Sequence, residues 1–120
     1  MQKKKLARMG MVASTMAAVA VGIAASPASA ASTGCDSGTN LSCTSSSIPA
    51  NGKHEVCFGG KHSALSYWGR AELWDADSGV IVASIATNGW RWQDKCQGGL
   101  YGQHYYLRGT GALFRGEAWN

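Results

Sequence analysis

The four cysteines restrict most strongly how this chain can fold. They are Cys35, Cys43, Cys57 and Cys96, and none belongs to a Cys-x-x-Cys pair of the kind that zinc sites use. Small secreted domains often form disulfides because their cores are too small to stabilise them alone. Three connectivities exist for two disulfides. We favour Cys35 with Cys43 and Cys57 with Cys96, because the first two share a short Ser/Thr/Gly segment and the second two lie in strand-like runs.

Residues 1–30 have the organisation of a secretory signal peptide. The basic start MQKKKLARMG is followed by the uncharged stretch MVASTMAAVAVGIAA and by the small-residue cleavage sequence SPASA. The apolar stretch is shorter than the roughly 20 residues that span a bilayer. We predict cleavage after Ala30, no stable membrane insertion afterwards, and a bacterial protein that is secreted and extracellular.

Cleavage would also remove the excess positive charge of the chain. Four of the eleven basic residues lie in residues 1–30, which leaves seven basic residues against seven acidic ones in residues 31–120. A neutral domain gives no electrostatic reason to expect a nucleic-acid partner. We predict a monomer that needs neither a cofactor nor a metal ion.

The pattern after the signal peptide changes near residue 53. Residues 31–53 are rich in Ser, Thr, Gly and Asn, which predicts an irregular segment closed by its own disulfide. Residues 54–120 contain short apolar or aromatic runs separated by turn residues. We therefore predict an all-β domain, a small disulfide-stapled β-sandwich or compact barrel of about six antiparallel strands.

The pair Asn88-Gly89 is the strongest hairpin signal in the chain. A two-residue turn at this pair would give one apolar face, with Trp90 and Trp92, and one polar face, with Arg91. We predict that both tryptophans line the core while Arg91 faces water. Trp90 lies beside the turn, where the end of a strand often extends beyond the layer that packs on it.

Two further hairpins are predicted. A five-residue loop over residues 75–79 would turn Ala71 and Leu73 toward the core, whereas a four-residue loop would bury charged side chains. The five-residue version places Arg70, Glu72 and Trp74 on the outside. A turn at Gly109-Thr110 would give one face with Tyr105, Leu107, Ala112 and Phe114, and a second face with His104, Tyr106, Arg108, Leu113 and Arg115. Tyr and Arg are favoured at interfaces.

The sequence does not point to a catalytic site. It contains no Gly-x-Ser-x-Gly, no His-Glu-x-x-His and no phosphate-binding loop. Paired carboxylates or a Glu/His/Arg set could serve a nuclease or a glycosidase, and this alternative stays open. We interpret His54, His62 and His104 as solvated strand residues and predict that the protein is not an enzyme.

The tripeptide Trp90-Arg91-Trp92 resembles the Trp-Arg-aromatic tripeptide of secreted bacterial proteinaceous α-amylase inhibitors, which are small β-sandwiches with two disulfides. The resemblance covers three residues. In those inhibitors the tripeptide lies inside the first disulfide loop, whereas here it precedes the last cysteine. The resemblance implies a binding site at Trp90 and Arg91.

We predict a small secreted binding protein that inhibits an extracellular hydrolase, either an amylase or a protease. Rigid turns with Trp, Tyr and Arg suit this function. The alternative is a carbohydrate-binding, cell-surface or envelope and spore-associated structural protein. In that case Trp74 and Tyr106 would stack on the sugars of a surface polysaccharide, with hydrogen bonds from Glu72, Arg70 or Gln103. Arg108 completes the candidate binding residues. A bacteriocin or killer-toxin-like protein is a third alternative.

Overall fold

Eight strands build the domain in the computed structural model, which describes residues 30–120. The predicted signal peptide, apart from Ala30, lies outside the described residues. No helix in residues 30–120 has the length and hydropathy to cross a bilayer. The strands are β1 Ser32–Asp36, β2 Ser42–Ile48, β3 Val56–His62, β4 Trp68–Asp75, β5 Val80–Asn88, β6 Gln93–Gln97, β7 Tyr105–Thr110 and β8 Phe114–Trp119.

The strands form two four-stranded sheets that pack face to face. Sheet I has the order β1-β8-β3-β6, and sheet II has the order β2-β7-β4-β5. Every pair of neighbouring strands is antiparallel. The predicted all-β sandwich is confirmed, with eight strands in place of about six.

The two additional strands come from residues 31–53, for which the prediction of an irregular segment was wrong. β1 is an edge strand that pairs with β8, and β2 is an edge strand that pairs with β7. Because an edge strand has one neighbour and little core to cover, it can be built from Ser and Thr without an apolar alternation. The composition that resembled a loop is therefore compatible with a polar sheet edge.

Both predicted disulfides are confirmed. Cys35 and Cys43 link β1 of sheet I to β2 of sheet II, with 5.8 Å between their Cα atoms. Cys57 and Cys96 are directly opposite each other on β3 and β6, within sheet I. Two disulfides are consistent with an oxidising, extracellular environment.

The core lies between the two sheets and follows the strand alternation. Its fully buried side chains include Phe58 from sheet I and Leu73 from sheet II. The predicted inward positions of Ala71 and Leu73 are confirmed, and Tyr105, Leu107 and Phe114, which were predicted to share one face, are buried as well. The period of two along each strand was sufficient to predict these positions.

The predicted hairpins at Asn88-Gly89 and Gly109-Thr110 are wrong. β5 and β7 belong to sheet II, whereas β6 and β8, which follow them, belong to sheet I. These turns carry the chain from one sheet to the other, and the first is centred on Gly89-Trp90 inside an Asn88–Arg91 bridge. The inward and outward faces of a strand alternate in the same way in both arrangements. Local pattern therefore does not distinguish a hairpin from a crossover.

The crossover also corrects the prediction for the two tryptophans. Trp90 is 62% exposed and Trp92 is 39% exposed, so neither lines the core. The predicted core face required β6 to pair with β5, but β6 pairs with β3. Arg91 faces solvent as predicted.

The β4–β5 hairpin forms, but its loop is one residue shorter than predicted. Asp75 pairs with Val80, so the loop comprises residues 76–79. A register shift next to Leu73 then adds one residue to β5, at Val82. Because of this bulge, the side chains of β4 point to the same sides of the sheet as a five-residue loop would have required, and its charged side chains stay outside.

Candidate functional site

Four connections meet at one end of the sandwich, which we call the loop end. They are residues 37–41, 63–67, 89–92 and 111–113, and each joins a strand of one sheet to a strand of the other. The antiparallel order brings all four to the same end. Trp90 and Arg91, both predicted as binding residues, lie in the third connection.

Backbone hydrogen bonds join these connections to one another. In each case an N–H group donates to a carbonyl oxygen in a neighbouring connection. The four bonds are Leu113 to Gly38 at 2.7 Å, Gly111 to Leu41 at 2.8 Å, Ser63 to Leu113 at 3.0 Å and Gly89 to Tyr67 at 2.7 Å. All four connections therefore belong to one continuous set of main-chain bonds. Such bonds restrict the conformations that the loops can adopt and lower the entropy lost on binding.

His62 anchors the loop end from below, and its prediction as a solvated residue was wrong. The side chain is fully buried. Its Nδ1 donates to the Ala112 carbonyl oxygen at 2.9 Å, and its Nε2 lies 2.8 Å from the Thr87 hydroxyl. The ring packs edge-on against Phe114. His62 thus joins the end of β3 to β5 and to the 111–113 connection, and both ring nitrogens have partners.

Large apolar side chains are exposed at the loop end. Trp68, the first residue of β4, is 74% exposed, and Leu41, Leu65 and Tyr67 are also exposed. Trp90 is exposed at the same end, next to Arg91 in the chain. Of these residues only Trp90 was predicted from the sequence, although the run LSYW contains three of them in four residues. The run was assigned to a strand, so its exposure on a connection was not predicted.

The other predicted binding residues lie together on the outer face of sheet II. Register places Trp74 beside Tyr106 on the neighbouring strand. Their ring planes are nearly parallel, at 8°, with centroids 6.3 Å apart. Trp74 is half-buried, although it was predicted as an exposed aromatic, because Tyr106 and Glu72 cover part of it.

Glu72 organises the polar groups of this outer face. The Trp74 Nε1–H donates to Glu72 Oε1 at 3.1 Å, and Arg108 Nη1 lies 3.4 Å from the same oxygen. Arg70 Nε is 3.9 Å from Glu72 Oε2, and the Arg70 guanidinium also donates to Ser84. The groups predicted to bind a sugar are therefore engaged with one another.

The described residues offer no evident metal site. In residues 30–120, the trio of potential ligands close enough to share an ion is Glu55, Cys57 and Cys96. The sulfur atoms of both cysteines belong to the Cys57–Cys96 disulfide. Because a metal ligand must be a free thiolate, this trio has one ligand to offer.

Comparison with known proteins finds no relative of this chain. No family model matches the chain, and no curated protein or solved structure shows significant similarity to it. The resemblance of Trp90-Arg91-Trp92 to the amylase inhibitors stays limited to the tripeptide. A functional assignment must therefore rest on the geometry of the exposed surfaces.

Proposed function

We propose that this protein is a secreted, non-enzymatic binding protein whose loop end inhibits an extracellular hydrolase. The observation that carries the proposal is the concentration of exposed large apolar side chains at the loop end, where Trp68 and Trp90 are largely exposed. Exposed apolar side chains grouped on one part of a monomer commonly mark an interaction site.

The composition of the loop end suits tight association with a protein. Trp, Tyr and Arg contribute most of the binding energy at protein interfaces, and Trp68, Tyr67, Trp90 and Arg91 lie within this one surface. Burial of their apolar area would supply the binding free energy. The main-chain bonds between the loops and the buried His62 reduce the ordering cost that opposes it.

Two observations favour an extracellular hydrolase as the partner. The two disulfides are consistent with an extracellular protein. Loops at the end of a sandwich project into solvent, which allows them to enter the concave active site of an enzyme. The resemblance of Trp90-Arg91-Trp92 to amylase inhibitors makes amylases the first class to test, followed by proteases.

The experiment uses the secreted protein, expressed from the full chain and purified from the medium with both disulfides formed. We would titrate it against secreted amylases, serine proteases and metalloproteases. We expect sub-micromolar inhibition of one class, weakened about 30-fold by Trp90→Ala or Trp68→Ala, as for an interface hot spot. The matched control is Tyr101→Ala, because Tyr101 is an exposed aromatic at the opposite end of the sandwich.

Two results would contradict the proposal. The first is a flat response of every enzyme class to the wild-type protein. The second is inhibition that Tyr101→Ala weakens as much as Trp90→Ala does, since the inhibitory surface would then not be the loop end. Circular dichroism of each variant would confirm that the fold is retained.

The predicted sugar site at Trp74 and Tyr106 has less support than the loop end. The hydrogen-bonding groups beside the two rings already contact Glu72. A sugar would have to displace these contacts before it could use them, which lowers the net gain of binding. The carbohydrate alternative therefore needs a different surface.

A further inference from the structure

The outer face of sheet I has an unusual arrangement of glycines and charged residues. Strand register aligns Gly34, Glu117, Gly59 and Asp94 in one row across all four strands. Glu117 therefore has a glycine on each side. The adjacent row contains Asp36, Arg115 and Lys61.

Neither glycine of the central row leaves room for a side chain. A Cβ atom on Gly34 would lie 2.7 Å from the Gly116 carbonyl oxygen. A Cβ atom on Gly59 would lie 2.5 Å from Asp94 Cβ and would also collide with the Gln93 carbonyl oxygen. Both distances are below van der Waals contact, so the close approach of neighbouring strands requires glycine here. The backbone is consequently bare on both sides of Glu117.

Two shallow depressions lie beside Glu117, and we call the two together the sheet I trough. One has a volume of about 430 Å³ and lies over β1 and β8, with Gly34 and Asp36 in its lining. The other has a volume of about 350 Å³ and is lined by Lys61 and Trp92. Arg115 and Glu117 line both, so the two depressions adjoin along β8.

Trp92 is the aromatic residue that lines the trough, and its ring lies close to that of Trp119. Trp92 precedes β6 and Trp119 ends β8, with β3 between them. Their ring centroids are nevertheless only 6.4 Å apart, with a tilt of 33° between the planes. The missing side chain of Gly59 leaves space for this approach. The Trp92 Nε1–H donates to Asp94 Oδ2 at 2.8 Å, which fixes the orientation of its ring.

The charged groups of the trough are free to bind a ligand. Neither of the ion pairs found in residues 30–120 involves Lys61, Arg115 or Glu117, since both belong to Glu72 on sheet II. The trough thus presents cationic donors and a carboxylate acceptor within a region about three strand spacings wide, roughly 15 Å.

We propose that the sheet I trough binds a short, neutral oligosaccharide. A sugar has an apolar C–H face, which can pack on the exposed part of Trp92, and hydroxyl groups, which donate to Glu117 or Asp36 and accept from Lys61 or Arg115. The acidic and basic side chains are nearly balanced, which does not favour a polyanion such as nucleic acid. Among the residues that line the trough, Trp92 is the one that also belongs to the loop end.

The test measures binding of maltohexaose, cellohexaose and chitohexaose to the secreted full-length product by calorimetry and tryptophan fluorescence. We expect saturable binding of at least one hexaose with a Kd of about 1 mM or tighter. Trp92→Ala and Glu117→Gln should each weaken it by about tenfold or more. Trp90→Ala is the matched control, because it removes an indole two residues away that does not line the trough, and it should leave the Kd unchanged.

Absence of saturable binding to all three hexaoses would overturn the proposal, as would binding that survives both Trp92→Ala and Glu117→Gln in full. Glu117 is exposed, so Glu117→Gln tests the site even if Trp92→Ala does not fold. The same variants separate this proposal from the inhibitor proposal. Trp90→Ala should weaken inhibition about 30-fold and leave sugar binding unchanged, whereas Glu117→Gln should weaken sugar binding about tenfold or more and leave inhibition unchanged.

Discussion

On the outer face of sheet II, Glu72 lies among two arginines and an indole N–H, whereas on the outer face of sheet I, Glu117 lies between two glycines. Both faces contain tryptophan, arginine and glutamate on neighbouring strands. On sheet II these side chains bind one another. On sheet I the same residue types face solvent above bare backbone, where a ligand can reach them.

The difference between the faces arises from cross-strand neighbours. A residue on a sheet interacts most strongly with the residue directly opposite it and with the diagonal neighbours. Glu72 is opposite Arg108 on β7, but Glu117 is opposite Gly34 on β1 and Gly59 on β3. Residue type alone therefore does not identify a binding surface on a sandwich, because a neighbouring side chain can occupy the same hydrogen-bonding groups.

The two faces also differ in how they are held together. Sheet I has the cross-strand disulfide Cys57–Cys96 on its outer face, which attaches the short edge strand β6 to β3. Sheet II has no disulfide within it, and its outer face carries the contacts of Glu72 and the stacked Trp74–Tyr106 pair.

The largest expected effect is that of removing the Cys57–Cys96 disulfide. The Cys57→Ser/Cys96→Ser double variant should lose roughly 3.9 kcal/mol of unfolding free energy by the chain-entropy relation, because its cysteines are 39 residues apart. The Cys35→Ser/Cys43→Ser variant, with a separation of 8, should lose roughly 2.6 kcal/mol. Urea denaturation of each double variant measures the loss. A smaller loss for the first variant than for the second would show that sheet I does not depend on its disulfide.

A smaller effect is expected from adding a side chain at Gly59, next to Glu117 on sheet I. Gly59→Ala should destabilise the protein by about 1–3 kcal/mol, because the added methyl group collides with Asp94 and with the Gln93 carbonyl oxygen. Gly98→Ala is the control, since a Cβ atom there meets nothing within 4 Å. Thermal unfolding of the two variants compares them. Equal stability of Gly59→Ala and wild type would mean that β3 and β6 can separate and that glycine is not required here.

Local signals in the sequence were sufficient to predict the six strands of residues 54–120 and the inward positions on β4, but not β1 and β2. The alternation around Leu73 indicated its inward position, and the cysteine spacing indicated both disulfides. The partners of each strand could not be predicted, because Asn88-Gly89 suits a crossover between sheets as well as a hairpin. The exposure of Trp90 and Trp92 depends on that choice.

The trough could not be predicted from the sequence for a related physical reason. Its central residues, Gly34, Gly59, Asp94 and Glu117, are far apart along the chain and come together through strand order and register. No motif spacing records such a row. Trp74 and Arg70 were predicted as site residues because alternation along one strand places them on its outer face, and both contact Glu72 on that same face.

The smallest expected effect compares the two glutamates directly. Glu72→Gln should lower the unfolding free energy by about 1 kcal/mol, because it removes the charge that both arginines contact. The loss is modest because the Arg70 and Arg108 side chains are 53% and 41% exposed, so that solvent screens the interaction, although Glu72 itself is 13% exposed. Glu117→Gln should change stability by less than about 0.5 kcal/mol, as expected for a surface substitution without partners.

Chemical denaturation with urea at low and high salt measures both glutamate variants. Salt at about 1 M should reduce the effect of Glu72→Gln, because the Debye length falls to about 3 Å, and should leave that of Glu117→Gln unchanged. Equal losses in the two variants would contradict the contrast between the faces, since Glu117 would then have partners of its own. A loss confined to Glu72→Gln would leave Glu117 as a carboxylate that contributes nothing to stability and is available for a ligand.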